Sequence, residues 1–346
     1  MNRVVLRADG NAQIGMGHVM RCLALSHMLR DEFLLQFAIK EPEAYVCTLI
    51  QQAGLCVVPL PESTADTTFL ELINTDDIVV LDGYAFDISF QKQIRNRTKR
   101  LIYIDDLLKG HQVADVVINH AGGIRTNEYD AEPYTKFYLG PHYALLRPEF
   151  LQPQGFGSAI RGGPFFVSMG GADLQNMSLH ILEAIRLVDP MLPIHIVLGP
   201  FHPNRQSIEA YSLQLPNLVI LQNQNVNEMV RELQQCSLAL TSCSTIAYEV
   251  CAVNRPLIAI VTADNQARIA QFLSEEQLAV SVSFPALLPH STPRPALAQM
   301  LKLTIQSFQL FSDITLKSLA SQKRFFDGQS PERFRKLFQQ LSVNKA

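Results

Sequence analysis

The sequence predicts an α/β fold built of two Rossmann-like domains, and three observations carry that expectation. Short apolar runs alternate with amphipathic stretches from end to end. The runs are rich in Val, Ile and Leu, as strands of a parallel sheet buried on both faces are. The order strand, Gly loop, helix also occurs twice, on either side of a Pro- and Gly-rich segment, Leu146–Pro164, which reads as a linker. At 346 residues the chain exceeds one ordinary core.

In the first half, Arg3–Ala8 reads as a buried strand, Gly17–Arg30 as a helix and Leu34–Ile39 as a strand. Glu43–Ala53 follows as a helix and Leu55–Pro59 as a short strand. Asp77–Leu81 and Leu101–Ile104 are strands flanking a helix near Ile88–Lys99, and Val116–Asn119 and Phe137–Gly140 are further strands. The pattern restarts with a strand at Phe165–Ser168, a Gly-Gly loop and a helix over Asn176–Leu187. Ile194–Leu198, Leu218–Leu221, Leu238–Leu240 and Pro256–Val261 continue the second sheet, and Pro295–Leu341 reads as helical and increasingly charged. Ligands of such sheets bind beyond the C-terminal strand ends, which points to a cleft between the lobes.

Composition narrows the function. Hydrophobic residues make up 47% and charged residues 18%, a globular balance. The formal charge of −3 lacks the basic excess of a nucleic-acid binder. None of the six cysteines forms a C-x-x-C pair, and the nine histidines form no zinc-binding array, so no metal is expected. The N-terminal run stops at Asp9, too short for a signal peptide, and no stretch approaches the ~20 apolar residues of a membrane span. The expected compartment is the cytoplasm.

The strongest motif is RADGNAQIGMGHVMRCLAL, Arg7 to Leu25. A strand ends, and a loop with Gly15 and Gly17 leads into a helix at His18. Glycines let a backbone pass close to a ligand, and a helix start favours anions. It also favours neutral imidazole, the form a general base needs, although a helix-capping histidine would look the same. The missing third glycine of G-x-G-x-x-G, where Met20 stands, weakens a dinucleotide reading, and there is no P-loop.

A second motif is TSCSTIAYEV, Thr241 to Val250. Ser242, Ser244 and Thr245 fall at a helix start, where they can cap it or present hydroxyls and amides to a pyrophosphate. Glu249 lies one turn on, suited to two ribose hydroxyls. Gly170-Gly171 follows a strand and is a tight turn or a ligand loop. Asp82-Gly83-Tyr84 and Asp105-Asp106 end strands, as ligand groups or as helix caps. Asn265-Gln266 is a helix cap or a sugar contact.

Taken together, these motifs resemble the PseG family, the UDP-2,4-diacetamido-2,4,6-trideoxy-β-L-altropyranose hydrolases of pseudaminic-acid biosynthesis. The segments that carry the resemblance are IGMGHVMR at 14–21, YALLRPEF at 143–150, SMGGAD at 168–173, SCSTIAYE at 242–249 and NQ at 265–266. They span nearly the whole chain in the family's order. The resemblance implies the GT-B arrangement of two Rossmann-like domains with an interdomain cleft, shared with the peptidoglycan N-acetylglucosaminyltransferase. Residues 1–150 would carry the GxGH loop, 151–315 would bind UDP, and a helical segment, 316–346, would pack back on the first domain.

The same resemblance makes His18 the base that activates water. It places Gly15, Gly17 and Arg21 in the substrate-binding loop, Gly170 and Gly171 in its counterpart, and Tyr84 near the sugar. Glu249 would hold ribose, Ser244 and Thr245 the phosphates, Arg147 the substrate's phosphates, and Asn265 and Gln266 the sugar or phosphate. Cys243 departs from the family's small or hydroxyl residues. No cofactor is implied, and the implied partners are the nucleotide-sugar substrate and other enzymes of the pathway. The alternatives are a GT-B glycosyltransferase with a lipid or sugar acceptor, which acceptor-free release of UDP would exclude, and a non-catalytic nucleotide-sugar sensor, against which His18 within GMGH argues.

Overall fold

A computed structural model describes residues 2–11, 14–98, 100–151, 162–170, 173, 175–199, 202–222, 224–283, 294–307 and 313–343. The chain divides into two compact units, Met1–Pro148 with Gln329–Ala346, and Glu149–Gly328.

Unit 1 runs β1 (Arg3–Ala8), α1 (Gly17–Leu29), β2 (Leu34–Lys40), α2 (Ala44–Gln52), β3 (Cys56–Leu60), α3 (Ala65–Leu72), β4 (Ile78–Asp82), α4 (Ile88–Thr98), β5 (Leu101–Ile104), β6 (Val116–Asn119) and β7 (Lys136–Leu139). Its seven strands are all parallel in the order β3-β2-β1-β4-β5-β6-β7. The apolar runs explain the sheet. Val4, Val5 and Leu6 of β1 and Ile78 to Leu81 of β4 are fully buried, because helices cover both faces. The chain crosses over between β1 and β4, so their C-terminal ends lie side by side, with Ala8 opposite Asp82. Such a reversal of strand order opens a crevice beyond the strand ends.

Unit 2 runs β8 (Phe165–Ser168), α5 (Met177–Val188), β9 (Ile194–Leu198), α6 (Arg205–Ser212), β10 (Leu218–Gln222), α7 (Val226–Gln235), β11 (Leu238–Ser242), α8 (Thr245–Ala252), β12 (Leu257–Val261), α9 (Ala267–Glu275), β13 (Val280–Ser283), α10 (Arg294–Ser307) and α11 (Asp313–Phe325). Its six parallel strands take the order β10-β9-β8-β11-β12-β13, with the reversal between β8 and β11. Local caps fix the helices. Asn225 and Glu228 close a reciprocal capping box on α7, and Asp173 accepts from the Met177 and Ser178 amides at 2.7 and 2.9 Å to start α5.

β13 is a strand that the sequence reading lacks. Among the described residues it pairs with β12 alone, at the sheet edge. The C-terminal helices part company. α11 packs on α8, where Asn254 donates to the Leu319 carbonyl at 2.7 Å and Gln322 donates to the Arg255 and Leu278 carbonyls. The last helix, α12 (Ser330–Val343), packs on α1 in unit 1. It buries Phe334, Leu337 and Phe338, and the Phe338 ring meets Phe33 edge-on at 5.9 Å. Each such side chain contributes about 1.5–3 kcal/mol by leaving water. Among the described residues no helix is long and apolar enough to cross a membrane.

Candidate functional site

The loop after β1 shapes a candidate site in unit 1. Gly15 takes φ +78°, a left-handed backbone that favours glycine, and its amide donates to the Asn11 carbonyl at 2.9 Å. Gly17 opens α1 and His18 is its second residue. His18 does not cap the helix: Met16 occupies the cap position, and no side chain closes it. The imidazole instead turns to the end of β4, where Nδ1 lies 2.7 Å from Asp82 Oδ1.

Asp82 is completely buried and gathers the site. Arg21, one turn along α1 from His18, donates to Asp82 through Nε at 2.8 Å and Nη2 at 2.6 Å, and to Asp106 Oδ2 through Nη1 at 2.8 Å. Burial alone would push the Asp82 carboxyl up. The Arg21 charge, with the hydrogen bonds from His18 and Arg21, overcomes this and holds it below its ordinary value of 3.8. The same carboxylates raise Arg21 against its own desolvation. Asp82 is therefore anionic at neutral pH, and a carboxylate is the stronger acceptor for the Nδ1 hydrogen. Arg21 Nη2 also lies 2.8 Å from Nδ1, because both donors converge on Oδ1. This assigns the tautomer with the lone pair on Nε2. Tyr84 completes the group: its ring stands edge-on to His18, centroids 4.7 Å apart, and its hydroxyl donates to Asp106 Oδ2 at 3.1 Å.

His18, Arg21 and Tyr84 of the sequence-predicted set thus meet in unit 1. Asp82 and Asp106, read in the sequence as ligand groups or helix caps at strand ends, join them. Asp105 does not: its carboxylate accepts from the Leu107 and Leu108 amides and the Tyr129 hydroxyl, and so shapes the loop.

His120, 5% exposed just past β6, was not singled out from sequence. Burial and the Arg21 charge push its imidazole down to about 4. The folded chain keeps it neutral between pH 6.5 and about 4, where an unfolded chain takes up a proton. Its stabilising share is complete above pH 6.5 and is lost as pH falls towards 4, on the order of 3 kcal/mol in all. Urea unfolding at stepped pH should show this acid limb in the parent and a flatter one in His120→Asn. Equal limbs would remove His120 as its cause.

Unit 2, taken by itself, holds most of the remaining sequence-predicted residues. Ser244 precedes α8 in extended conformation without a side-chain cap bond, and its Oγ lies 2.9 Å from Ser242 Oγ. Thr245 is the first residue of α8. Gly170, at φ +84°, stands beside this pair: a Cβ there would lie 3.9 Å from Ser242 Oγ. Gly170, Ser242, Ser244 and Thr245 thus gather at the reversal between β8 and β11, where hydroxyls and helix-start amides suit a phosphate. Cys243 leaves this cradle. It is fully buried, and burial pushes its thiol up to about 12.

Glu249 is buried on α8 one turn past Thr245. Gln266 is at the cap of α9, and its amide oxygen accepts from the Thr262 amide at 2.8 Å, so that group serves its own loop. Asn265 is exposed beside it, and Arg147 lies half-buried at the end of unit 1. Gly171 lies outside the described residues. Among the described residues no group of three or more His, Cys, Asp or Glu is placed to hold a metal ion.

No protein-family model matches the chain. Among known structures it is similar to MurG of Acinetobacter baumannii, with a TM-score of 0.62 at 12% identity, covering 98% of this chain and 99% of that one. HepE of Anabaena, solved with UDP and glucose, gives a TM-score of 0.59 at 12% identity over 99% of this chain and 100% of that one. The fold is GT-B. In sequence, the GT-B chain is 24% identical to the UDP-2,4-diacetamido-2,4,6-trideoxy-β-L-altropyranose hydrolase of Campylobacter jejuni, over 82% of this chain and 100% of that protein. The resemblance to that hydrolase read from the motifs is thereby borne out. The spore coat polysaccharide biosynthesis protein SpsG of Bacillus subtilis is 23% identical over 82% of this chain and 85% of its own. An uncharacterized protein of Methanocaldococcus jannaschii is 26% identical over 75% of this chain, which spans 55% of that protein's length.

Proposed function

We propose that the protein hydrolyses a UDP-sugar at the anomeric C–O bond, with UDP-2,4-diacetamido-2,4,6-trideoxy-β-L-altropyranose as substrate, in nonulosonic (pseudaminic) acid biosynthesis. The observation that carries the chemistry is the His18–Asp82 pair, which joins the start of α1 to the end of β4. Asp82 fixes the ring through Nδ1 and stabilises the imidazolium that forms, while Nε2 takes a proton from water. The water oxygen attacks C1, the C1–O bond breaks, and its electron pair leaves on the β-phosphate of UDP. The named hydrolase among its relatives supports water as the acceptor.

The acidic groups beside His18 also favour a single displacement. Both oxygens of the fully buried Asp82 are held by His18 and Arg21, which keeps it from acting as the nucleophile of a glycosyl-enzyme intermediate. One displacement inverts C1. The departing diphosphate would rest on the amides and hydroxyls around Ser244 and Thr245, with Arg147 adding charge. Glu249 would bind the ribose. Glu249→Ala should weaken UDP binding by roughly 1.5–3 kcal/mol, the worth of a charge-assisted hydrogen bond. Calorimetry giving the parent's affinity would count against that role.

The deciding experiment is turnover in heavy-oxygen water, without acceptor and with EDTA present. The label is expected in the free sugar, with unlabelled UDP as the other product. UMP, or label in the nucleotide, would mean attack at phosphorus, a chemistry that usually recruits divalent ions. The second reading, a glycosyltransferase with a lipid or sugar acceptor, is favoured by the GT-B neighbours. Release of UDP only on adding an acceptor would establish it.

A further inference from the structure

The loop that carries His18 is held at its very start, at Asp9 and Gly10. With Arg7 opposite Ala38 in the ladder, Asp9 comes level with Lys40 at the end of β2, and its Oδ1 accepts from the Lys40 amide at 2.8 Å. The same carboxylate accepts from both Nη groups of Arg7, from Nη2 at 3.0 Å. Arg7 is 2% exposed, and its guanidinium lies 5.0 Å from the centre of the Phe86 ring. A charge so deep needs a counter-charge, and among the described residues the carboxylate it reaches is Asp9. Asp9 is thus pinned from β1, its own strand, and from β2 beside it.

Gly10 passes that fixed point on to the helix. It is buried, and a Cβ there would lie 2.6 Å from Val19 Cγ2 and 3.3 Å from the Met16 sulfur. Val19 follows His18 in the first turn of α1 and is fully buried. Its branched side chain has little freedom to turn aside. The chain after Asp9 therefore runs flush against the helix start, in a gap that only glycine fits.

The helix start has no side-chain anchor of its own. Met16 stands at the cap position without a side-chain bond, and the first turn holds no acid. Arg21, with its two carboxylates, ties α1 one turn further on. Asp82 orients the ring of His18 through Nδ1, whereas the height of its backbone depends on what the first turn rests against.

On the hydrolase reading, we propose that Asp9 and Gly10 are positioning residues for His18. The Arg7–Asp9–Lys40 clasp sets the height of the loop, and Gly10 transmits it by contact to Val19. The imidazole is thereby held at the reach its water requires. Neither residue touches the reacting atoms. A displacement of about 1 Å at such a group costs about 100-fold in rate.

The test pairs a wedge with its relief. Gly10→Ala sets a methyl against Val19 and should shift the first turn of α1. Val19→Ala removes the atoms that methyl meets, so the double variant should let the loop settle back. Asp9→Asn keeps an oxygen for the Lys40 amide but withdraws the charge from Arg7. Each variant is compared with the parent at a temperature where circular dichroism shows it folded. kcat for the UDP-sugar should fall about 10- to 100-fold in Gly10→Ala, and in the same direction in Asp9→Asn. It should recover in the double variant and stay near the parent's in Val19→Ala, with the Kd for UDP constant throughout. The ring-proton signals of His18, assigned by their loss in His18→Gln, read the displacement without turnover, because the Tyr84 ring 4.7 Å away shifts them. They should move in Gly10→Ala and Asp9→Asn and return in the double variant. If Gly10→Ala does not fold, Asp9→Asn decides by the same two readouts. A merely structural role would lower the melting temperature and leave kcat and the ring signals of the folded variants unchanged, which overturns the proposal. A loss in Gly10→Ala that Val19→Ala fails to relieve also overturns it. Ring signals that move and return in proteins without turnover support the positioning and count against hydrolysis.

Discussion

Replacing His18 with Gln should lower kcat by about 10²–10⁴, the contribution of a positioned general base, and leave UDP affinity unchanged. Gln cannot take up the water proton at neutral pH. The substitution leaves the ion pairs of Arg21 with Asp82 and Asp106 in place, so the folded variant should resemble the parent in thermal stability. UDP would be held in unit 2, around Ser244, Thr245 and Glu249, and that group contains no atom of His18. Steady-state kinetics with calorimetry on the same preparation reads out both quantities. Turnover near the parent's in a folded variant would remove His18 from the chemistry and leave the fold without an assigned base.

Asp82 is expected to show a double effect. Asp82→Asn keeps the size of the side chain but places an amide where the Nδ1 hydrogen now lands. The ring then turns its lone pair to Nδ1 and carries hydrogen on Nε2, the wrong arrangement for accepting a proton from water. A loss of about 10²–10⁴ in kcat should follow, matching His18→Gln, because the two act as a unit. Asp82→Ala adds an energetic penalty, since it leaves the buried Arg21 with Asp106 alone. Breaking a buried pair from one side costs about 3–5 kcal/mol. Urea unfolding should show that loss for Asp82→Ala, while the double variant His18→Gln, Asp82→Asn should be hardly slower than either single one. Independent, multiplying effects on kcat would mean that Asp82 acts through something other than the ring of His18.

Much of this was legible in the residues. The apolar runs at Val4–Leu6, Ile78–Leu81 and Leu257–Val261 are buried parallel strands because a sheet covered on both faces needs no alternation. β13 was passed over: Val280–Ser283 alternates as a strand does but is only four residues long, and its pairing with β12 comes from the tertiary structure. The Gly-His loop announced itself through glycines that the backbone requires, as Gly15 at positive φ shows. The partnership of His18 with Asp82 did not, since 64 residues separate them. Asp82 and Asp105 both end apolar runs and look alike in sequence. One orients a histidine and the other stitches a loop, and only the crossover that sets β4 beside β1 tells them apart. Gln266, read in the sequence as a helix cap or a sugar contact, stands at the cap position of α9 with its amide on Thr262.

The placement of α12 bears on how the protein comes to be folded during synthesis. Unit 2 is one unbroken stretch of chain, whereas unit 1 is assembled from two stretches with unit 2 emerging between them. Domains usually condense in the order in which the ribosome delivers them. Here the unit that is started first has to wait. The face of α1 that packs against α12 stays uncovered through the translation of some 180 intervening residues, Glu149 to Gly328. During that interval the nascent first unit carries an apolar face that a chaperone can hold, and unit 2 can reach its native state before its elder neighbour does.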